Sequence, residues 1–457
     1  MDAPESADDS NTAPSKTRWL THPLAVMSIM ILVPILLLWA FLVYRQQELA
    51  VQLENLRQQG MPTNGEELNA YYVIPAGVTD STSAWMDALQ AADLASKSKA
   101  ARALPIIGLG EPSSIPRRGA EWAQLDEART FVEAHHSVRK LIHDAAALEG
   151  QARFPADFSA GTSTLLPHLE QSRSAARFLT LDANVANHDG DFARMKADVR
   201  AMLELVRALQ DEPVVISQLI RYAVFSQTSG QADSFLSDSD WSDAELQALQ
   251  KQVQSLDFRK DFNRALIGEH ALIQTSLEDI SVLPFRIYLK RYLLDYYGKI
   301  IHQMSGTWQA DVDRLNRLDQ EFQSMAINRF PPLAAYVRHY VGPLSSQLFT
   351  ASLRARARQR CLNLAIAAQR FRLAHGHFPE AFSEIDPEWV GPAEMRNELL
   401  TDPFDLAPLR LKHEADRIII YSTAEDLKDD GGDCLNTSST RTKDVGSLLW
   451  KGPPVSP

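Results

Sequence analysis

The chain has 457 residues, a formal net charge of −12 and 45% hydrophobic residues. The acidic balance argues against nucleic acid as a partner, because phosphate backbones attract basic surfaces. Beyond an apolar N-terminal stretch roughly 410 residues remain, more than one domain by the usual length prior, so two or three substructures are expected.

Residues 1–18 are rich in Ser, Asp, Thr, Pro and Ala and read as a disordered tail. Residues 19–44 read as a transmembrane helix. No charged residue occurs from Pro23 to Tyr44, and at 1.5 Å per residue that run reaches roughly 33 Å, enough for a hydrocarbon core. Pro34 is expected to kink the helix, as membrane helices tolerate. Trp19, Trp39 and Tyr44 suit the interfacial belts. A cleaved signal peptide would need a shorter apolar region and a small-residue cleavage site. Instead Arg45-Gln46-Gln47-Glu48-Leu49 continues the helix. The expectation is an uncleaved anchor, with the lipid bilayer as partner through residues 19–44. Lys16 and Arg18 precede the span while Arg45 and Arg57 follow it, so the positive-inside rule barely discriminates. A short polar tail before a large body is the usual pattern of a signal anchor with the body exported.

Residues 45–60 read as a helical stalk, broken at Gly60-Met61-Pro62-Thr63-Asn64-Gly65. Residues 61–343 read as a helical body. A helix is expected around Ser83–Ala103, then a Gly/Pro-rich loop from Leu104 to Gly119. Ala120–Leu148 reads as one helix, followed by His168–Asn187, a turn at His188-Asp189-Gly190-Asp191, and Phe192–Gln210. In the last of these Met195, Val199, Met202, Leu203, Val206 and Leu209 form one apolar face. Val214–Phe235 is next. The tight Gly-Asp turn resembles a helical-hairpin repeat unit, but no second copy recurs at a fixed period. Ser242 with Glu245 reads as a capping box and Trp241 as its staple. That helix reaches about Leu256, and another runs from Phe258 to Ile280. Leu283–Met304 is rich in Tyr and Leu but carries Arg286, Lys290, Arg291 and Lys299, so it is no second span. It reads as a core helix with a basic outer face, or as a helix lying on the bilayer. Thr307–Met325 follows, Phe330-Pro331-Pro332 interrupts, and Leu344–His375 is a long final helix.

Residues 344–440 read as a small α+β module. Gly376 suits a C′ position and Pro379 blocks continuation. Asp402-Pro403-Phe404-Asp405 is a turn. Leu409, Leu411 and His413 alternate, and Ile418–Tyr421 follow a three-residue connection, which reads as a β-hairpin. Acidic residues then crowd at Glu425, Asp426, Asp429, Asp430 and Asp433. Residues 441–457 read as a disordered tail. The expected fold class is mainly α, with one N-terminal transmembrane helix, a large helical body and this C-terminal helix-plus-hairpin module.

The order of motifs from Leu344 onward resembles the head of the major pseudopilin of type II secretion systems. In that family a long helix leads to a Gly-x-[Tyr/Phe]-Pro turn, an Asp-Pro-[Trp/Phe] turn, a small hairpin and a glycine-rich loop that binds calcium. The counterparts here are Gly376–Pro379, Asp402–Phe404 and Ser422 to Gly432. The chain departs from the family where the whole helical body separates the apolar segment from the head. The prepilin-peptidase site is absent, and Ala424 and Leu427 replace two loop glycines. The resemblance implies a bacterial inner-membrane protein with a periplasmic body, and calcium held by Asp426; the neighbouring Asp429 and Asp430 could add further oxygens. Clustered carboxylates suit a hard cation that wants six to eight oxygens, but the spacing is not that of an EF-hand, and a solvated acidic turn is the alternative. A pilin-like head also brings its C-terminal segment back near the long helix, where Cys361 and Cys434 could pair. From the residues alone an even cysteine count fits one disulfide or two free thiols.

No nucleophile elbow, Walker A loop, His-Glu-x-x-His or Cys-x-x-Cys occurs in the sequence. The best metal-like cluster is His135, His136, His143 and Asp144 with Glu133 nearby, for which an ordinary polar helix is the plainer reading. Arg354, Arg356, Arg358 and Arg360 alternate through a helix and read as a solvated stretch. The expected function is that of a non-enzymatic, membrane-anchored envelope protein with an exported interaction domain. A secretion-apparatus component or a motif-free exported hydrolase are the alternatives, the last requiring a deep pocket with convergent polar groups.

Overall fold

The computed structural model describes residues 23–108, 115–303, 308–329, 344–434 and 443–452. The expected tail 1–18 and the Phe330-Pro331-Pro332 break lie outside them. Helix α1, Pro23–Gln58, is a single helix that carries both the expected span and the expected stalk, with Pro34 inside it. Its apolar half is bare: Met30, Leu36, Leu37 and Trp39 are each more than half exposed. Among the described residues it is the one helix long and apolar enough to cross a membrane. Its last turns bury Leu49 and meet α11.

The body follows as α2 (Gly65–Tyr71), α3 (Thr82–Ser96), α4 (Leu125–Ala134), α5 (His136–Ala146), α6 (His168–Asp189), α7 (Phe192–Ala208), α8 (Val215–Asp238), α9 (Asp243–Gln254), α10 (Phe258–Ser276), α11 (Leu283–Gln303) and α12 (Trp308–Arg329). The expected helix Ala120–Leu148 is two helices, and this is a correction. His135 leaves helical geometry at φ −112°, its Nδ1 lies 2.8 Å from the Phe131 carbonyl, and its ring rests on Phe131. A side chain that bonds the preceding turn competes with the helix ladder, and no Gly or Pro announces it. The turn after α6 is as read: Gly190 takes φ 76° and Asp191 caps Arg194 N. Ser242 and Glu245 form the full capping box at α9. Where α8 and α10 start their crossing, a Cβ on Gly268 would lie 1.7 Å from the Pro213 carbonyl, so only glycine lets the backbones meet there.

Helix α13, Leu344–His375, is the axis of the C-terminal half. From Cys361 to Arg370 every residue is buried. One side of the helix packs on α8 and α9 and the other on the sheet. This explains its lack of an amphipathic pattern: a helix covered all round has no solvent face. Two short helices, α14 (Pro387–Val390) and α15 (Arg396–Leu400), lead to β1 (Arg410–His413), β2 (Arg417–Ser422) and β3 (Val445–Trp450). The sheet is antiparallel in the order β1-β2-β3, with Ile420 opposite Leu411 on one side and Ser447 on the other. The expected disordered tail 441–457 is corrected here, because Val445–Trp450 completes the sheet. Ile418, Ile420, Val445 and Leu449 join the core that runs through the body, so the module shares its core with the body. Ile419, Tyr421 and Leu448 pack with Cys434 in a small cluster on the opposite face.

Candidate functional site

A polar concavity with a buried ionisable group lies where body and C-terminal segment meet. It is a cleft of about 590 Å³ between α6, α8, the segment around Pro116, α13 and β3. On its floor α8 presents Asp233, 4% exposed, whose Oδ1 has no hydrogen-bond partner among the described residues. Burial pushes this carboxyl up to about 7, opposed by the Arg358 guanidinium and by hydrogen bonds from the Ser447 hydroxyl and the Leu448 N–H on β3. Arg358 comes from α13, is half-buried, and reaches across to Gly230. It has no hydrogen-bond or ion-pair partner among the described residues. Thr180, Asn184, Gln227 and Gln231 line the α6–α8 wall, linked by Gln227 to Thr180 at 2.9 Å and Asn184 to Gln231 at 2.8 Å. Arg117 closes one end, paired with Asp238 and stacked 4.4 Å from the Trp450 ring. Ile106, at the rim, holds a left-handed φ of 67°, a strained conformation for a β-branched residue.

Chemically the cleft offers, among the described residues, a guanidinium that faces the Asp233 carboxyl without a hydrogen bond to it and a carboxyl Oδ1 without a donor. It suits binding of a group that brings both complements. Cys434 also lines it, but burial pushes that thiol up to about 12, so it is no ready nucleophile.

The residues singled out in the sequence are distributed differently. Asp426 accepts from Lys428 N, Asp429 from Tyr421 Oη and Gly431 N, and Asp430 pairs with Lys443 at 3.5 Å. These three carboxylates serve separate turns. They do not converge into the expected calcium cage, and no group of three metal-ligating side chains occurs among the described residues. The acidic loop is instead held by two carboxylates from outside it. Asp444 accepts from Gly432 N and Asp433 N. Asp402, fully buried, accepts from Phe404 N, Ser422 Oγ, Thr423 N and Arg410 Nη1 at 2.7 to 3.0 Å. The Asp-Pro-Phe turn is thus the clasp between the hairpin and the loop. Asp402→Ala strands all four donors and is expected to cost about 2–3 kcal/mol in urea unfolding. A loss under about 1 kcal/mol would show that the turn stands without the carboxylate.

Cys361 and Cys434 stand as free thiols, both buried. The expected disulfide is not formed in the structure, because β3 runs between them. Cys361 Sγ lies 3.7 Å from the Val445 carbonyl within the main core, whereas Cys434 sits against Gly446 in the cluster on the other face.

His135, His136 and His143 do not gather on a metal either. His136 Nδ1 turns to the Glu133 carbonyl, and His143 Nε2 lies 2.7 Å from Asp198 Oδ1. That pair belongs to a buried cluster with Asp182, Arg139 and Arg194 that ties α5 to α6 and α7. The arginine run is not a solvated stretch, a further correction. Arg354 makes two 2.8 Å bonds to Glu425, Arg356 and Arg360 share Glu398, and Arg358 enters the cleft. Alternate positions on a helix point to different sides, and here each side has its own neighbour.

No protein-family model, no curated protein and no solved structure matches this chain.

Proposed function

We propose that the chain is a single-pass, membrane-anchored binding protein of the bacterial envelope, without enzymatic activity of its own, that takes a ligand or a partner's side chain into the cleft around Asp233 and Arg358. The observation that carries this reading is the incompletely satisfied pair at the cleft floor: a buried carboxyl Oδ1 without a donor among the described residues, facing a guanidinium that is not hydrogen-bonded to it. Buried polar groups are costly to leave unmet, and a complementary group recovers that cost on binding. The bare apolar half of α1 supports the anchor. The short polar tail and the pseudopilin-like order of motifs after Leu344 support a body held outside the cytoplasm.

A secretion-apparatus role related to pseudopilins is the second reading, favoured by the long helix α13 backed by an antiparallel sheet. Against it, α8 and α9 cover the side of that helix away from the sheet.

The anchor is tested by carbonate washing of membranes from the native host. The full-length chain, beginning at its own N-terminus, is expected in the pellet, with residues 45–457 reached by protease only from the outer side. Release of the body into the soluble fraction would overturn the anchor. For the cleft, a photo-crosslinking residue at Ser234 is expected to trap a species that Arg358→Ala no longer traps. Equal trapping by both chains would remove the cleft from the binding function.

A further inference from the structure

The exit of α1 forms a second concavity, remote from the cleft. A groove of about 700 Å³ runs between the end of the apolar half of α1 and the start of α11. Leu38, Phe41 and Leu42 make one wall, and Phe285, Tyr288 and Tyr292 make the other. At the lip, Val282 is 61% exposed and Leu283 is 37% exposed. A soluble surface has no use for an apolar tip of this kind next to a bare apolar helix. The groove ends in charge. Arg45 and Arg291 both bind Glu48, at 3.0 and 2.5 Å, so two guanidiniums share one carboxylate. Asp295, also in the lining, is matched by Lys299 at 2.7 Å. Arg286 adds a further cation one turn from the lip, near Glu278 at 3.4 Å.

Depth along α1 orders these features. If Pro23 marks one face of the hydrocarbon layer, Leu38 lies roughly 22 Å in and Arg45 roughly 33 Å in, at 1.5 Å per residue. On that placement the Leu38, Phe41 and Phe285 part of the walls sits at the level of acyl chains. The tyrosines and arginines sit at the level of headgroups, where such side chains concentrate.

We propose that this groove holds one anionic phospholipid of the bilayer that α1 crosses, its acyl chain between Phe41 and Phe285 and its phosphate on Arg45 and Arg291. The site rests on the anchor reading above and adds to it a specific lipid and a second point of attachment, the Val282-Leu283 tip. The open side of the groove is continuous with the bare face of α1, so the molecules that reach it first are lipids. The surplus positive charge at its end selects among them for an anion.

The test uses the full chain in bilayer nanodiscs. Both native cysteines are buried, so a fluorophore placed by Val282→Cys labels that position selectively. A second preparation carries the label at Leu37→Cys, on the bare face of α1. Lipids brominated in the acyl chain are expected to quench both labels. Brominated phosphatidylglycerol, diluted in phosphatidylcholine, is expected to quench the Val282→Cys label at least twofold more than brominated phosphatidylcholine at the same dilution. Arg45→Gln with Arg291→Gln is expected to abolish that excess, and Arg45→Lys with Arg291→Lys to keep most of it. If the Leu37→Cys label is not quenched, the anchor itself fails. If it is quenched while the Val282→Cys label is not, the anchor stands and the lipid groove is overturned. Self-quenching between labelled chains would then assign the groove to a second copy. Equal quenching by the two lipids would overturn the anionic selectivity.

Discussion

Arg221→Met is expected to destabilise the body by about 3–5 kcal/mol near neutral pH, the usual consequence of removing one partner from a buried ion pair. Arg221 and Asp261 are both fully buried and joined directly. The guanidinium also donates to the Val206 carbonyl at 2.8 Å, bonds Gln210 and Gln218, and lies over the Phe258 ring at 4.6 Å. It thereby ties α7, α8 and α10 together through one side chain. Asp261 is less well served, since its Oδ1 has no hydrogen-bond partner among the described residues. Burial outweighs the pull of Arg221 and pushes its carboxyl up to about 7. Removing Arg221 takes away the main force holding that carboxyl down, so it is expected to titrate higher still and to be neutral in the variant at mildly acidic pH. The cost of the substitution should therefore shrink as pH falls. The double variant Arg221→Met with Asp261→Leu is expected to recover most of the loss, because an apolar pair of similar volume often replaces a buried ion pair at little cost. Urea midpoints of the detergent-solubilised chain at two pH values measure all three. A single variant within about 1 kcal/mol of the native chain would show that the pair is peripheral to stability.

Local signals carried most of the helical body. The capping box at Ser242 and Glu245, the turn at Gly190 and the end of α13 before Gly376 all depend on neighbours within a few residues, and all stand where the pattern puts them. The failures have a common cause, which is dependence on partners distant in sequence. His135 ends a helix through its own side chain, without Gly or Pro. Val445–Trp450 shows no alternation because both of its faces are buried, one against α13 and one under Cys434. A short apolar run beside Ser/Thr-rich and Pro-rich segments then looks like tail. The arginine run looked solvated because its counter-ions, Glu398 and Glu425, lie 38 to 71 positions away. The cleft was illegible for the same reason. Asp233 is one aspartate among many on α8, and Arg358 is one arginine of four on α13. Only the packing of α13 on α8 brings them together. The acidic loop drew attention because its carboxylates are adjacent in sequence, yet the structure gives each its own turn. Clustering along the chain was the weaker guide to chemistry, and burial without a partner was the stronger one.

Asp233→Asn is expected to stabilise the unliganded chain at pH 8 and to leave it unchanged near pH 4. The native carboxyl is buried on α8, where loss of water pushes it up to about 7, above its ordinary value of 3.8, against the opposing influence of Arg358 and of hydrogen bonds from Ser447 and the Leu448 N–H. An acid whose folded value is raised favours the folded state while it stays protonated. That contribution is complete below about pH 4 and is lost as pH rises through about 7. Above that range the folded chain must carry a buried charge, or bind a proton that the unfolded chain releases. From 3.8 to about 7, at about 1.4 kcal/mol per unit, the difference has an upper bound of about 4.5 kcal/mol, which the half-solvated guanidinium and water in the cleft reduce. An amide has no charge to bury, so the variant loses this contribution and its stability should fall less steeply with pH than the native chain's, the remaining slope coming from other carboxyls raised by burial, such as Asp261 and Glu269. The comparison is a series of urea midpoints between pH 4 and pH 8 for both chains. Parallel curves would mean that Asp233 is ionised and well served throughout, which would remove the unsatisfied carboxyl from the binding site. Divergence above pH 5 would establish that the cleft holds a strained carboxyl. A ligand presenting a hydrogen-bond donor to that carboxyl and an anion to Arg358 should then raise the native chain's stability at pH 8 more than that of the Asn variant, since only the native site has a charge left to compensate.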